Sequence, residues 1–367
     1  MKNKKKIIFF IPVIKIGGAE KVFLELSEYF QHEEYSVEIL TLKILEKKKY
    51  NLKKINIVNL NRSRLIFSII DIYKYLKKNK PKYVFSTLNH SNIIILILKF
   101  ILDKNTKILI REANISSQNI KNINFLKRIF FIIGIKYLYP FADKIIAVTD
   151  GVKNDLVNNF KINKNKIITI HNPVNYEDII QKSNLPLEKN FNPKLFSPYL
   201  VCVGSLTQQK NQKFLINVFS NVLKKINCYL IIIGSGDCYN DLKELSIKLK
   251  IENNIIFTGN VSNPYNFMLN SKGIILPSLW EGLPNVLIEA LFLDIPIISS
   301  NSSEGVNYIL KNGNLGKIYD INDDKQLLKM ILEILTKKQI KNNNRDLFRF
   351  EKENITNDYL KLLDNIQ

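Results

Sequence analysis

The stretch GIILPSLWEGLPNVLIEA occupies residues 273–290 of this chain. It begins with a short apolar run that ends at Pro277, and the residues after Pro284 place apolar side chains at helical spacing. A strand, a loop and a helix are therefore predicted in that order. This arrangement places Glu281 in the loop and Glu289 on the helix.

The two glutamates suggest a pair that binds one ligand. Pro284 suits the first helical turn, where a missing N–H costs nothing, so the amides around Gly282 and Leu283 are expected to point out of the helix start. A helix rises roughly 7.5 Å from Pro284 to Glu289, about the length of a sugar ring and a neighbouring group. The alternative is that Glu281 caps the helix and Glu289 is an ordinary solvated helix residue.

Strand and helix patterns alternate along the chain in two successive series. The first series of strands is IIFFIPV, VEILTL, IVNL, YVFSTL, KILIRE and KIIAVT, and the second is YLVCVGSL, CYLIIIGSG, NIIFTGN, GIILPS and PIISS. Such alternation predicts an α/β fold of two Rossmann-like domains, each with a mostly parallel sheet. We expect an N-terminal domain over 1–172, a proline-dotted linker over 173–198, a C-terminal domain over 199–349 and a final helix over 350–367 that returns to the first domain.

The positive charge of the chain is concentrated in its first half. The formal net charge is +21, and residues 1–170 hold 32 lysines and arginines against 13 acidic residues. This imbalance favours a polyanionic partner or an anionic membrane surface, and a compositional bias towards lysine is the alternative. Nucleic acid is disfavoured, because the lysines of this half are not accompanied by an aromatic stacking platform or a recognisable binding motif.

The chain is expected to be cytoplasmic. Its three cysteines have no metal-ligand spacing and include an odd one, which favours a reducing compartment. Apolar runs at 93–102 and 129–135 are too short to span a bilayer. The start of the chain imitates a signal peptide but leads into Lys15 rather than into a small-residue cleavage site, so it is interpreted as a first buried strand.

Several loops that follow predicted strands are rich in glycine or polar residues. Two Rossmann-like domains that face each other would place these loops around a cleft between the carboxyl ends of both sheets. Glycines at such positions let backbone amides approach a phosphate closely, although ordinary turn chemistry explains them equally well. The candidates are Gly17, Gly18, Gly204, Ser205, Lys210 and Gly234.

Five motifs of this sequence occur together in a known family. GGAEKV, GSLTQQKN, IIIGSG, EGLPNVLIE and SSNSSEGVNYIL follow one another along the chain. In this the chain resembles the large retaining glycosyltransferases of the GT-B fold, family four, over nearly its whole length. The resemblance implies transfer of a sugar from a nucleotide donor, usually UDP-linked, with retention of configuration and without a metal or other cofactor.

The resemblance also implies roles for individual residues. Glu281 would face the hydroxyls of the donor sugar, Glu289 the ribose, and Lys210 the diphosphate leaving group. Many members carry arginine where this chain has Ser205, so one of the two usual cations is absent. The implied donor-binding set is completed by Gly17, Gly18, Gly204, Gly234, Gly282, Leu283, Pro284 and Asn285.

Candidates for the acceptor side lie in the first half of the chain. Glu112 stands where the family often has histidine, so we expect it to contact the acceptor or the sugar, with a structural cap as the alternative. His90 follows another predicted strand and is equally well explained as a hydrogen-bonded loop residue. His171, in the segment HNP, is expected to be structural.

The leading hypothesis is a glycosyltransferase that adds a hexose or N-acetylhexosamine to a growing glycan, for example one linked to polyprenyl diphosphate, in surface-polysaccharide biosynthesis such as that of capsule, lipopolysaccharide or O-antigen. It would act at the cytosolic face of the membrane. The alternatives are a nucleotide-sugar epimerase of the GT-B fold and, less favoured, a non-enzymatic polyanion-binding protein.

A membrane contact is predicted at residues 119–141. This stretch interleaves basic and aromatic residues and contains no acidic one. The alternative is that the aromatic side chains belong to the core and only the lysines face water. The residues concerned are Lys121, Lys127, Arg128 and Lys136 with Phe125, Phe130, Phe131 and Tyr137.

Overall fold

In the computed structural model, the described residues are 4–14, 17–32, 35–45, 55–63, 65–121, 123–186, 196–336 and 345–366. The chain forms two compact units. The first consists of Met1–Pro173 together with Lys352–Gln367, and the second of Val174–Glu351. Each unit has a parallel β-sheet with helices, so the prediction of an α/β fold with two Rossmann-like domains is confirmed.

The first unit is built on a parallel sheet that has seven strands within the described ranges. The strands lie in the order β3-β2-β1-β4-β5-β6-β7, so the direction in which strands are added reverses between β1 and β4. In open α/β sheets, ligands bind at the carboxyl ends of the strands near such a reversal. The strands are β1 Lys5–Ile14, β2 Tyr35–Ile44, β3 Ile57–Asn59, β4 Tyr83–Thr87, β5 Lys107–Glu112, β6 Lys144–Ala147 and β7 Ile167–Thr169.

One side of this sheet has an aromatic core. The rings of Phe9 and Phe85 stack at 4.9 Å, and Phe23 meets Phe9 edge-on at 5.1 Å. Tyr359 of the last helix belongs to the same cluster, so that helix lies in the first unit although it follows the second in sequence. The helices of this unit are α1 Gly18–His32, α2 Ile69–Asn79, α3 Asn89–Lys99, α4 Ser116–Asn119, α5 Phe125–Leu138, α6 Asp150–Phe160 and, by its place in the chain, α14 Lys352–Asp364.

The second unit has a parallel sheet of six strands within the described part of the chain. Its order is β10-β9-β8-β11-β12-β13, and the reversal lies between β8 and β11. Strand β13 is absent from the sequence prediction. The strands are β8 Tyr199–Val203, β9 Tyr229–Ile233, β10 Ile255–Gly259, β11 Ile274–Leu276, β12 Ile297–Ser300 and β13 Lys317–Tyr319.

The helices of the second unit begin earlier in the chain than the sequence predicts. Residues 174–186, which the sequence analysis assigns to a linker, belong to the second unit, and α7 packs there against α10 and α11. The side chains of Asn263 and Asn266 donate to the Lys182 and Ser183 carbonyls, which holds the end of α7 in place. Residues 187–195 of the predicted linker lie outside the described residues. The helices are α7 Tyr176–Ser183, α8 Gln212–Leu223, α9 Tyr239–Lys248, α10 Tyr265–Leu269, α11 Asn285–Phe292, α12 Glu304–Ile309 and α13 Asp324–Thr336.

The chain leaves the second unit beside the point at which it enters. The Val174 N–H donates to the Phe350 carbonyl at 2.9 Å, and Val174 forms a parallel bridge with Glu351. Arg349 donates to the Tyr308 and Ile309 carbonyls at the end of α12, and its guanidinium lies 4.6 Å from the Tyr308 ring. A cation is favourable at a helix C-terminus, so Arg349 anchors the return segment to α12.

Candidate active site

The candidate site of the second unit lies where the strand order reverses. Strands β8 and β11 are neighbours in the sheet and are parallel, so the loops that follow them leave the same edge. Those loops are residues 204–211 and 277–284. The Leu279 N–H donates to the Gln209 carbonyl at 2.8 Å, and the Gln209 amide donates to the Trp280 carbonyl at 2.8 Å. The two loops are therefore held together at the position where α/β folds bind ligands.

Lys210 and Glu281 meet at this edge. The Lys210 ammonium is 2.5 Å from Oε1 of Glu281, and the Ser278 hydroxyl donates to the same oxygen at 2.6 Å. Glu281 is only 5% exposed. In the part of the chain that the structure describes, both hydrogen bonds of this carboxylate fall on Oε1, so Oε2 keeps its capacity to accept from a ligand hydroxyl.

The lysine also keeps donors for a ligand. An ammonium group has three N–H donors, and the recorded ion pair uses one of them. The lysine stem lies over Gly204, because a Cβ at that position would be 3.5 Å from Cδ and Cε of Lys210. Lys210 is therefore positioned by Gly204 and Glu281 and still presents positive charge to an anion.

Glu289 is buried rather than solvated. It lies on α11 as predicted, is 8% exposed, and accepts a hydrogen bond of 3.1 Å from the Tyr265 hydroxyl of α10. The alternative of an ordinary solvated helix residue is therefore wrong. Glu281 does not cap the helix either, because its carboxylate bonds Ser278 and Lys210.

The start of α11 differs slightly from the prediction. Pro284 occupies the N-cap position instead of the first turn, and the helix begins at Asn285. The N-cap makes no side-chain hydrogen bond to the helix. Helix N-termini carry partial positive charge and favour anions, so Gly282, Leu283 and Asn285 lie where the sequence analysis places a ligand.

Gly234 has a structural reason to be glycine. Its φ is +141°, and a Cβ there would clash with the Gly204 carbonyl oxygen. The Leu206 N–H donates to the Ser235 carbonyl at 2.9 Å, so the loops after β8 and β9 are in backbone contact. Close packing of these loops accounts for Gly234 without a ligand. Ser205 is exposed at the same edge and supplies no cation.

Three residues of this site were missed by sequence reasoning. Ser278 lies three positions before Glu281, so its role had a local signal in the loop. Tyr265 and Gln209 are 24 and 71 residues from their partners, and nothing local in the sequence relates them.

Glu112, the candidate of the first unit, has a different environment. The carboxylate is 3% exposed and accepts four hydrogen bonds. Oε1 accepts from Tyr139 at 2.5 Å and Asn92 at 2.7 Å, and Oε2 from Ser116 at 2.7 Å and Asn89 at 3.1 Å. The expected contact with acceptor or sugar is not favoured, because both oxygens are occupied by donors of the protein itself.

The ionisation of Glu112 reflects this burial. Burial raises the pKa of the Glu112 carboxyl above its ordinary value of 4.5, and hydrogen bonds from Tyr139, Ser116 and Asn92 oppose the rise. Its donors come from the first turns of α3 and α4 and from the segment after α5. Glu112 thus links three helical segments, which favours the structural alternative of the sequence analysis.

Arg111 extends the neighbouring buried network. Its guanidinium donates to the Asn172 side chain, and burial lowers its pKa, a shift that the Tyr359 side chain opposes. Nδ1 of His171 is 2.8 Å from the Val148 carbonyl oxygen. Both His171 and Asn172 are therefore held by structural contacts, as the sequence analysis expects of His171.

His90 and the first glycine pair occupy exposed or accessible positions of the first unit. His90 is exposed in the first turn of α3. The residue before this helix is Leu88, whose φ of +75° is unusual for a non-glycine residue. Gly17 packs against the buried carboxylate of Glu20 on α1, and the neighbourhood of Gly18 is open. His90 remains a candidate for the acceptor side.

Among the residues that the structure describes, no three histidine, cysteine, aspartate or glutamate side chains come close enough together to hold a metal ion. Over the same ranges, no helix combines the length and apolar composition needed to cross a membrane.

Comparison with known families matches both halves of the chain. Residues 16–178 match the family described as Glycosyltransferase Family 4, and residues 186–347 match the family described as Glycosyl transferases group 1.

Individual relatives have names that agree with these matches. An uncharacterized glycosyltransferase of Methanocaldococcus jannaschii is 37% identical, and the match covers 65% of this chain and 60% of that protein. An uncharacterized glycosyltransferase of Haemophilus influenzae is 30% identical, with 89% of each chain covered. The N-acetylgalactosamine-N,N'-diacetylbacillosaminyl-diphospho-undecaprenol 4-alpha-N-acetylgalactosaminyltransferase of Campylobacter jejuni is 27% identical over 98% of this chain and 99% of its own.

Solved structures share the fold. The Anabaena protein HepE in complex with UDP and glucose superposes with a TM-score of 0.79 at 15% identity, covering 98% of this chain and 99% of its own. At this identity the likeness shows the fold alone.

Proposed function

Because this chain belongs to the family 4 glycosyltransferases, we propose that it transfers a sugar from a UDP-sugar to a lipid-linked glycan with retention of anomeric configuration. The observation that carries the proposal is the ion pair of half-buried Lys210 and buried Glu281 at the strand reversal of the second unit. There a cation lies beside a carboxylate whose Oε2 can still accept a hydrogen bond, and a sugar diphosphate offers both an anion and hydroxyls.

Each side chain then has a defined task. Lys210 donates to the diphosphate while it keeps its bond to Glu281, and it stabilises the negative charge that grows on the leaving phosphate. Oε2 of Glu281 accepts from a hydroxyl of the donor sugar and fixes the orientation of the ring. Glu289 accepts from the ribose hydroxyls, with Tyr265 holding its carboxylate in place.

The proposed reaction needs no dedicated protein base. The bond between the anomeric carbon and the phosphate oxygen breaks, and a bond to the acceptor oxygen forms on the same face. The acceptor proton passes to the departing β-phosphate, which leaves as UDP. This route needs no base from the first unit. It therefore agrees with the engagement of both Glu112 oxygens by donors of the protein.

Lys210 and the α11 N-terminus also support a metal-independent reaction. Both stabilise negative charge at the position proposed for the diphosphate, which is the task that a divalent cation performs in other transferases. We therefore propose that neither a metal nor another cofactor is needed.

The acceptor is proposed from the relatives. The Campylobacter jejuni relative is named for transfer to a sugar linked to diphospho-undecaprenol, and HepE was solved with UDP and glucose. These names support a UDP-linked hexose or N-acetylhexosamine as donor and a polyprenyl-diphosphate-linked glycan as acceptor. The enzyme would then work at the inner face of the cytoplasmic membrane.

A panel of UDP-hexoses and UDP-N-acetylhexosamines, incubated in EDTA with a polyprenyl-diphosphate-linked sugar, tests the proposal. We expect one donor to give UDP and a product that is one sugar heavier by mass spectrometry, with the donor configuration retained by proton NMR. Conversion of the UDP-sugar into its epimer without an acceptor would favour the epimerase instead. Activity that is lost in EDTA and restored by magnesium would contradict the metal-free mechanism.

A further inference from the structure

Helix α5 of the first unit presents an apolar surface to solvent. Its exposed apolar side chains fall within an arc of roughly 140° at 100° per residue, so they form one stripe along the helix. We refer to this set as the apolar stripe. Its members are 38% to 75% exposed, and they are Phe125, Leu126, Ile129, Phe130, Ile133, Tyr137 and, just beyond the helix, Phe141.

The apolar stripe continues onto the end of α3. The rings of Phe100 and Phe141 meet edge-on at 5.0 Å, and α3 packs against α5. Ile97, Phe100 and Ile101 are each more than 40% exposed. Ten large apolar side chains thus form one exposed surface, which is larger than the scattered exposed residues of an ordinary protein surface.

This exposure decides between the two interpretations of residues 119–141. Phe125, Phe130 and Tyr137 are exposed and Phe131 is half-buried, so most of these aromatic rings are not core. The interpretation in which only the lysines face water is therefore wrong.

The charged side chains of residues 113–142, which include α5, are of one sign. Between Glu112 and Asp143 the chain has no acidic residue, and its basic residues here are exposed. A second copy of the chain would place cations opposite cations, which disfavours a symmetric dimer through this face. The basic residues are Lys121, Lys127, Arg128 and Lys136.

We infer that the apolar stripe and the end of α3 dock the enzyme on an anionic lipid bilayer, with α5 lying flat in the interface. An amphipathic helix that binds in this way buries its apolar side about 5–10 Å into the headgroup region, while basic residues beside it contact anionic lipid. The inference rests on the proposed function, because a lipid-linked acceptor presents its glycan at that surface. It deepens the proposal by assigning the membrane contact to one side of the first unit.

Vesicle flotation with matched variants tests the inference. Wild-type protein is expected to float with vesicles of phosphatidylcholine and phosphatidylglycerol and to bind pure phosphatidylcholine at least about tenfold more weakly. Lys127→Glu with Arg128→Glu should lower the partition coefficient by about tenfold or more. Lys243→Glu with Lys248→Glu, on exposed α9 of the second unit, changes the net charge equally and should lower it less than about threefold.

The apolar contribution is tested with a second matched pair. Ile133 and Ile247 are 52% and 53% exposed, in the first and second unit respectively. Ile133→Ser should reduce vesicle binding about fivefold, and Ile247→Ser should leave it unchanged. Thermal unfolding by circular dichroism checks that all variants are folded. Equal behaviour within either pair, or equal binding to neutral and anionic vesicles, would overturn the inference.

A solution assay separates this inference from the proposed function. UDP binding by calorimetry and transfer to a short-chain, water-soluble acceptor are measured without vesicles. If UDP binds and the soluble acceptor is glycosylated but the protein ignores vesicles, the docking surface is wrong and the function stands. If vesicles bind through the stripe but UDP does not, the proposed function fails. Conversion of a dimer into a monomer by Ile133→Ser, with vesicle binding unchanged, would assign the face to a second copy and also overturn the inference.

Discussion

Each unit of the molecule buries a glutamate near the carboxyl edge of its sheet, and the two differ in the donors around them. Glu112 of the first unit accepts four hydrogen bonds on both oxygens. Glu281 of the second unit accepts two, both on Oε1. Burial alone therefore does not identify a ligand site. The two carboxylates differ instead in what the protein leaves available, since Oε2 of Glu281 has no bond within the described residues and both oxygens of Glu112 are bonded.

The origin of the donors explains the difference. Glu112 receives them from residues on separate helices, so the carboxylate holds those helices together. Glu281 receives them from Ser278 in its own loop and Lys210 in a neighbouring loop. The first arrangement serves folding, and the second leaves room for a substrate.

Replacement of Lys210 should have the largest effect on activity. Lys210→Ala removes the cation proposed for the leaving diphosphate, and loss of one preorganised group of this kind lowers kcat by about 100-fold to 1,000-fold. The rate is measured per folded molecule, with the folded fraction taken from thermal unfolding. Lys213→Ala, on the exposed side of α8, is the control and should keep the wild-type rate. A Lys210→Ala enzyme within about threefold of wild type would remove this lysine from the mechanism.

Glu112→Gln should affect folding rather than catalysis. The amide places an N–H₂ group where two protein donors converge, so at least one buried donor loses its partner, at a cost of about 2 kcal/mol in the free energy of unfolding. Urea unfolding measures this loss. Unchanged stability would mean that Glu112 does not organise the helices around it.

Glu289→Gln should weaken UDP binding about tenfold, because a neutral amide accepts more weakly from ribose hydroxyls than a carboxylate does. Calorimetry in EDTA measures the change. Tyr265→Phe removes one hydroxyl that donates to Glu289 and should weaken UDP binding about threefold. UDP affinity that is the same in wild type and Glu289→Gln would contradict the assignment of this glutamate.

The pH dependence of stability should show a smaller effect. Because the pKa of Glu112 is raised above 4.5, the folded protein keeps a proton that the unfolded chain has already lost. Glu112 therefore lowers the free energy of unfolding progressively as the pH rises from about 4.5 through its raised pKa. Glu112→Gln does not titrate, so the stability difference between wild type and variant should narrow as the pH rises through this window. Urea unfolding between pH 4 and pH 8 measures the difference, and a gap that widens with pH would mean that the four donors outweigh burial.

Most of the fold was predictable because long buried strands have a strong apolar pattern. Strand β5 begins and ends where KILIRE does. Strand β13 was not predicted, since it pairs with β12 alone and two of its three residues are half-buried. Helix α7 was assigned to a linker because prolines follow it closely, and its packing against α10 and α11 depends on residues far away in sequence.

The candidate site was predictable only in part. The placement of Glu281 in a loop and Glu289 on a helix follows from local pattern and is confirmed. The contact between Lys210 and Glu281 joins loops 71 residues apart, so it required the sheet order. The hydrogen bonds that occupy Glu112 were not predictable for the same reason, because Asn92 and Tyr139 are distant from it in the sequence.

The most direct test of the account compares Glu281→Gln with Glu112→Gln in one assay. Once the UDP-sugar donor is known, kcat/KM is measured for both variants and wild type, per folded molecule. We expect a loss of about 10-fold to 100-fold for Glu281→Gln, because its amide cannot make a charge-assisted bond to the sugar, and a value within about twofold of wild type for Glu112→Gln. The opposite ranking, with Glu112→Gln inactive and Glu281→Gln active, would contradict the placement of the donor site in the second unit.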